Sequence, residues 1–229
     1  MKHYLHLGNR EPDYRGIMNA QKDFLIDDKL IPASRVVIAE QTHSDLVHVC
    51  REIDCGAGFG DHPQIAVADG FITNIAYQYL LIRTADCTPV LFIDRHNRAV
   101  GAVHSGREGT RKNIAGKAVA LMRKEYRIHP ADLMAWIGAG ICEKHYPVND
   151  AIWDDYIASM RAMGLDASLH PRPYLNIRIS IFQQLLASGI PYKNIEQDNT
   201  CTWESQQHFS WRRDGSRNRQ INVVGLENE

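Results

Sequence analysis

Residues 82–112 read IRTADCTPVLFIDRHNRAVGAVHSGREGTRK, and the reading of this stretch decides the fold. Two apolar runs, Pro89–Ile93 and Ala99–Val103, flank the polar segment Asp94–Arg98. β-Branched and aromatic residues on either side of an Asn-containing turn are the signature of a β-hairpin. Cys87 stands just before the first run and His104 ends the second. An antiparallel hairpin brings the outer ends of its strands together, so this thiol and this imidazole become neighbours although 17 positions separate them. Gly106 and Gly109 follow at once and permit a tight backbone.

Working outward, the remaining pattern is mixed. Upstream, residues 1–34 carry little periodicity, and Met18–Leu30 reads as a short helix with Phe24, Leu25 and Leu30 turned inward and Pro32 marking its end. Arg35–Ala39 reads as a strand, leading through Glu40-Gln41-Thr42-His43-Ser44-Asp45 to a second strand, Leu46–Cys50. His43 thus sits in a connection, where catalytic and binding groups concentrate. Cys55–Pro63 is a glycine-rich loop with neither a P-loop nor a dinucleotide fingerprint. Ala66–Thr73 and Gln78–Arg83 read as strands. Downstream, Thr110–Tyr126 reads as a helix capped by Thr110, with Ile114, Ala118, Leu121 and Met122 on one face. Leu133–Ile137 is a buried strand broken by Gly138-Ala139-Gly140. Asn149 or Asp150 caps a helix running to Met163, and Asn176–Ser188 is another, closed by Gly189 and Pro191. Short strands are expected at Asn194–Glu196 and Ile221–Gly225. Hairpins outnumber crossovers, which favours a single α+β domain over residues 1–229, with mixed sheets.

Composition narrows the function. With 229 residues, 44% hydrophobic and 23% charged, the chain can bury a sizeable core. Its formal net charge of −1 gives no general attraction to nucleic acid or anionic lipid. No apolar run approaches the roughly 18 residues that span a bilayer, and the N-terminal stretch has no apolar signal core. A cytoplasmic protein without nucleic-acid or membrane partners is the expectation. Five scattered cysteines do not form a disulfide framework.

Three side chains carry the chemistry. A cysteine beside an imidazole favours the thiolate, which is a nucleophile or a soft metal ligand. Cys87, His104 and His43, if they converge, make a complete catalytic zinc set with one open position. The same trio without metal can act as a cysteine nucleophile with a histidine base. Spacing alone does not choose, because the three come from separate segments. The tail Phe209-Ser210-Trp211-Arg212-Arg213, followed by Arg217 and Arg219, suits a clamp for an anionic or planar ligand. Cys142 and Cys201 read as packing residues, neither having a partner at zinc-ribbon spacing.

Several ordered motifs resemble one family. Gln41-Thr42-His43, Asp69-Gly70-Phe71-Ile72-Thr73, Thr84-Ala85-Asp86-Cys87-Thr88-Pro89 and Ala102-Val103-His104-Ser105-Gly106 are similar to the motifs of the YfiH-like laccase-domain (multicopper polyphenol oxidase) family. Ile137-Gly138 through Cys142, Asp198 through Thr202, and Phe209 through Arg213 resemble its C-terminal motifs. The resemblance runs from about residue 36 to the C-terminus. It implies a four-layer α/β/β/α sandwich shared with certain Cys–His hydrolases, and a site of His43, Cys87 and His104, usually holding zinc, with copper as the alternative. It further implies a small-molecule substrate: a purine nucleoside, with adenosine deamination or phosphorolysis of adenosine, inosine, guanosine and methylthioadenosine. Hydrolysis of peptidoglycan precursors, copper-dependent phenol oxidation and a binding protein with a decayed site are the competing roles. A multicopper oxidase needs about ten histidine ligands in paired motifs, and one His2Cys set holds at most one copper. The family's Trp–Arg pair after the second histidine is replaced by Arg107-Glu108, and its Gly-Gly-x-Ser opening is absent. Arg107 and Arg212 are the candidate anchors for phosphate. Both a monomer and a homodimer are compatible with the sequence.

Overall fold

The computed structural model describes residues 2–227. The elements in chain order are β1 (Lys2–Leu7), α1 (Tyr14–Ala20), β2 (Phe24–Ile26), β3 (Lys29–Ile31), β4 (Val36–Val37), β5 (Val47–Val49), β6 (Gly70–Thr73), β7 (Tyr79–Thr84), β8 (Thr88–Asp94) and β9 (Val100–Ser105). They continue with α2 (Arg107–Arg111), α3 (Ile114–Tyr126), β10 (Leu133–Ile137), α4 (Asp150–Ala162), α5 (Ile177–Ala187), β11 (Ile195–Gln197), α6 (Trp211–Asp214) and β12 (Gln220–Glu227). This is the expected α+β fold with mixed sheets.

The hairpin β8–β9 is the centre of a six-stranded sheet in the order β11-β10-β8-β9-β6-β5. Both of its strands are buried along their whole length. Its turn is fixed by Asp94, whose carboxylate accepts hydrogen bonds from the Arg98 backbone N–H at 3.0 Å and from the guanidinium Nε and Nη2 at 2.7 and 2.8 Å. Asn97 takes the left-handed conformation that Asn tolerates (φ 51°). Pro89 lies opposite His104, so Cys87 emerges one residue beyond the paired end.

A four-stranded sheet, β1-β12-β7-β4, packs on one face of the large sheet. Leu80, Ile82 and Val224 from the small sheet interlock with Phe71, Leu91, Ile93 and Val100 from the large one. The other face of the large sheet carries α3, α4 and α5 through Val90, Phe92, Ile114, Tyr156 and Ile181. The outer face of the small sheet is covered by α1 and the β2–β3 hairpin through Ile17, Ile26 and Ile31.

Several expectations are corrected. The N-terminal segment is not a helix over 18–30. Asp27 and Asp28 both adopt positive φ (47° and 63°), which makes a tight two-residue turn between β2 and β3. Ile26 and Ile31 point inward while Leu25 and Leu30 are 59% and 56% exposed, a period of two and not 3.6. β1 has no counterpart among the sequence expectations, because its alternation is diluted by His3 and His6. The strand expected at 35–39 shortens to Val36–Val37, and that at 66–73 begins only at Gly70. The helix expected from Thr110 is two helices. Asn113 at φ 61° interrupts it and itself caps α3 by accepting from Gly116 N–H. Thr110 instead lies inside α2, bonding the Gly106 carbonyl at 2.8 Å. Of the two caps offered for α4, it is Asn149 that accepts from Ile152 N–H, and Asn176, expected as the first residue of a helix, caps α5 by accepting from Ile179 N–H.

Candidate metal and substrate site

The hairpin end, the 41–45 loop and the segment after β9 meet at one place. His43, Cys87 and His104 each offer a donor atom there, all within 4.8 Å of one another. The two imidazole rings stand edge to face with centroids 5.0 Å apart. His104 is buried, Cys87 half-buried and His43 exposed, so the cluster opens to solvent on the His43 side. The approach requires glycine at 106, where a Cβ would lie 2.9 Å from both Cys87 Sγ and His43 Cδ2.

One buried carboxylate organises the set. Asp69, just before β6, accepts from the backbone N–H groups of Thr42 and His43 at 3.1 Å and of Ser44 at 2.7 Å. The Ser44 hydroxyl donates to it at 2.6 Å, and His104 Nδ1 at 2.7 Å. Three consecutive amides closing on an anion form a nest, and this holds His43 in a left-handed conformation (φ 62°). Because a carboxylate can only accept, Nδ1 of His104 carries a proton, and in the neutral imidazole it is Nε2 that offers a lone pair to the cluster. Burial pushes the Asp69 carboxyl up, but the bonds from His104 and Ser44 prevail and hold it at about 2. Burial also pushes the Cys87 thiol up, and the imidazoles of His104 and His43 outweigh it, bringing the thiol down to about 6. Burial alone would lower His104; Cys87 and Asp69 reverse this and raise it to about 9. Metal-free, the cluster therefore tends to a thiolate beside an imidazolium, and a metal on Nε2 would displace the second proton of His104.

Asp86 fixes the other side. At φ 80° it directs Cys87 inward. Its carboxylate accepts from the Thr202 hydroxyl and the Arg212 N–H, both at 2.7 Å, and its carbonyl accepts from Ile141 N–H at 2.8 Å. Three distant loops are thereby pinned around the thiol.

The cluster lies in a cavity of ≈ 670 Å³, a size that suits a small organic ligand. Arg15, Arg83, Arg107, Arg212, Arg217 and Arg219 line it, against the acids Asp86 and Glu108. Asp86 is fully engaged, and Glu108 pairs with Arg107 and Arg111, both at 3.0 Å. The Arg212 guanidinium lies 5.1 Å from the centre of the Tyr146 ring. A second cavity of ≈ 620 Å³, bordered by Cys55 and His62, opens more widely and, among the described residues, contains no such donor cluster.

The five sequence-selected residues, His43, Cys87, His104, Arg107 and Arg212, thus all reach one cavity. Of the tail, Arg213 is committed elsewhere: its guanidinium caps the carbonyls of Thr202, Trp203, Ser205 and His208. Sequence reasoning missed Tyr14, Arg15, Arg83 and the organising role of Asp69. Arg83 gave a signal, as a lone cation in the apolar strand YLLIRT; Tyr14 and Arg15 gave none. Cys142 and Cys201, read as partnerless, are neighbours, with Cys142 N–H 3.2 Å from Cys201 Sγ.

Comparison with known proteins extends this picture. A purine nucleoside phosphorylase of Corynebacterium glutamicum is 30% identical over 223 residues, which cover 97% of this chain and 87% of that protein. The crystal structure of the hypothetical protein YfiH from Bacillus licheniformis matches with a TM-score of 0.78 at 29% identity, over 85% of this chain and 75% of that one. That of YlmD from Geobacillus stearothermophilus matches with a TM-score of 0.76 at 30% identity, over 86% and 76%. The family model described as multi-copper polyphenol oxidoreductase laccase matches residues 3–227. With fold and motifs agreeing over nearly its whole length, the chain belongs to the multi-copper polyphenol oxidoreductase laccase family.

Proposed function

We propose that the protein is a zinc-dependent enzyme of purine nucleosides, acting by phosphorolysis, deamination or both. The observation that carries this reading is the placement of a His2Cys donor set on the wall of an arginine-lined cavity of nucleoside size. Curated relatives named purine nucleoside phosphorylase support it. The donor set fits zinc: one soft and two borderline ligands, an approach left open on the exposed His43 side, and an outer carboxylate that orients a ligand imidazole. Copper is the alternative occupant of the same set. When bound, zinc supplies Lewis-acid polarisation and lowers the pKa of water held there to about 7.

The chain's own residues do the rest. Asp69 keeps the His104 proton on Nδ1 and its lone pair on Nε2. Asp86 holds Cys87 in place from behind. Tyr146 and Trp211 line the cavity, where an aromatic ring can stack a planar base, and a guanidinium such as that of Arg107 or Arg212 can pair two phosphate oxygens at once. In phosphorolysis a phosphate oxygen bonds to the sugar carbon as the carbon–nitrogen bond breaks. The electron pair leaves with the purine, where a cationic wall lowers its cost.

The test is release of free purine and of ammonia from adenosine, inosine, guanosine and methylthioadenosine, with and without phosphate. Cys87→Ala should lose at least about a hundredfold in turnover. Arg212→Ala should raise the phosphate requirement and leave zinc content unchanged. Near-wild-type turnover by Cys87→Ala on every active substrate would refute the reading. The thiolate–imidazolium character of Cys87 and His104 favours one second reading, a metal-free thiol hydrolase of amide bonds. Full activity after exhaustive chelation would select it.

A further inference from the structure

β10 and β11 run parallel at the edge of the large sheet, and each is followed by a loop. The first loop carries Cys142 and His145; the second carries Cys201, Trp203 and Glu204. A parallel bridge between Gly140 and Cys201 fixes the two loops side by side. Cys142 Sγ, Cys201 Sγ and a Glu204 carboxylate oxygen consequently lie within 4.8 Å of one another. Cys142 Sγ is 4.0 Å from Glu204 Oε1, and His145 Nε2 is 3.4 Å from that same oxygen. The His145 ring stands edge-on to Trp203 with centroids 3.9 Å apart. The cysteines are only 9% and 6% exposed.

We propose that Cys142, Cys201 and Glu204 form a second metal site, for a thiophilic divalent cation of the zinc type. It does not depend on His43, Cys87 or His104. Two sulfurs and a carboxylate are a sound donor set for such an ion, and thiolates select it over calcium or magnesium. Zinc–sulfur bonds of about 2.3 Å place donors about 3.7 Å apart around a tetrahedron, so the existing cluster needs to contract by roughly 1 Å. A cation satisfies both sulfurs and the carboxylate together. A disulfide would satisfy the sulfurs and leave Glu204 unexplained. His145 lies 3.4 Å from the Glu204 oxygen that faces Cys142, within ion-pair reach of that carboxylate. Glu204 faces solvent and gives the ion a route in.

The site also has a consequence for the cavity. Ile141 N–H and the Thr202 hydroxyl both bond Asp86, the residue before Cys87. A cation joining Cys142 to Cys201 therefore clasps the two loops that hold Asp86.

The experiment is metal uptake by the full chain, stripped and kept reduced, with zinc alone and with cadmium as a thiolate reporter. Wild type should take up about two zinc ions, Cys87→Ala about one, and Cys87→Ala combined with Cys142→Ser none. The cadmium–thiolate band that remains in Cys87→Ala should fall by about half in Cys87→Ala/Cys201→Ser. Glu204→Gln alters an exposed side chain and keeps the fold. In the Cys87→Ala background it should weaken zinc by at least about tenfold. Uptake by Cys87→Ala that is unchanged by Cys142→Ser and by Glu204→Gln would overturn the proposal. So would a single zinc in wild type that Cys87→Ala abolishes, or a Cys142–Cys201 disulfide that takes up no cation once reduced. Because the second site is read in the Cys87→Ala background, its failure is distinguishable from failure of the first.

Discussion

Replacing Asp69 with Asn tests the organisation of the site most directly. The two carboxylate oxygens serve five donors: Oδ1 takes His43 N–H and His104 Nδ1, and Oδ2 takes Thr42 N–H, Ser44 N–H and the Ser44 hydroxyl. An amide offers one acceptor oxygen, so its NH2 must confront one of these groups. Facing Thr42 and Ser44, it would orphan two part-buried amides. Facing His104 is cheaper, because the imidazole can shift its proton to Nε2 and accept through Nδ1. That still leaves His43 N–H without its acceptor, at about 1–3 kcal/mol, and removes the charge from the remaining bonds. The expected destabilisation is roughly 2–5 kcal/mol by chemical denaturation. The tautomer change also takes away the lone pair that faces Cys87, so zinc affinity, measured by competition with a chromophoric chelator, should fall about 10- to 100-fold. Ser44→Ala is the control: it removes one hydroxyl donor and should cost about 1 kcal/mol with zinc affinity unchanged. Zinc binding by Asp69→Asn within about threefold of wild type, in a folded protein, would refute the claim that Asp69 sets the His104 tautomer.

Other outcomes follow from the same geometry. Gly106→Ala puts a methyl group 2.9 Å from Cys87 Sγ and His43 Cδ2, so it should lower zinc affinity and turnover at least about tenfold while the melting curve moves little; equal zinc affinity would mean the three donors do not close on a common point. Phe92→Ala empties a fully buried site in the hairpin and should cost about 3–5 kcal/mol in denaturant; a loss under about 1 kcal/mol would show that α3 can collapse onto the gap. Asp94 should shape the acid limb of stability. Burial pushes its carboxyl up, and the bonds from Arg98 prevail and hold it below the usual 3.8. Its folded value is the lower one, so its contribution is complete above the unfolded value of about 4 and is lost as pH falls from there through the lower folded value. Arg98→Ala should therefore shift the acid-unfolding midpoint upward, and an unchanged midpoint would count against the bond as a source of stability.

The hairpin could be read directly because its signal is local: apolar runs of the right length with turn residues between them. The pairing of Cys87 with His104 followed from hairpin geometry alone. His43 was different. It joins the set because Asp69 folds the 42–44 amides around itself, and nothing in the spacing of Asp69 and His43 announces that contact. The β2–β3 hairpin was misread because Phe24, Leu25, Leu30 and Ile31 satisfy either period over so short a span, and the Asp27-Asp28 turn is an uncommon pair. Arg15 and Tyr14 reach the cavity only because α1 is laid across the small sheet, a tertiary fact with no local trace. Cys142 and Cys201 meet through the parallel pairing of β10 and β11, strands separated by two helices.

The hub at Asp69 also dictates an order of assembly. Its links to residues 42–44 close sequence gaps of 25 to 27, and its link to His104 closes one of 35. Such closures carry an entropic cost that local contacts avoid, so they come after the β8–β9 hairpin has formed and β6 has docked beside it. The donor set is therefore complete only when the large sheet is complete. An ion arriving earlier finds at most two of its three ligands together. A metal taken up by this set would therefore report the finished fold and not nucleate it, the opposite of a zinc finger, whose ligands lie close enough in sequence for the ion to drive folding.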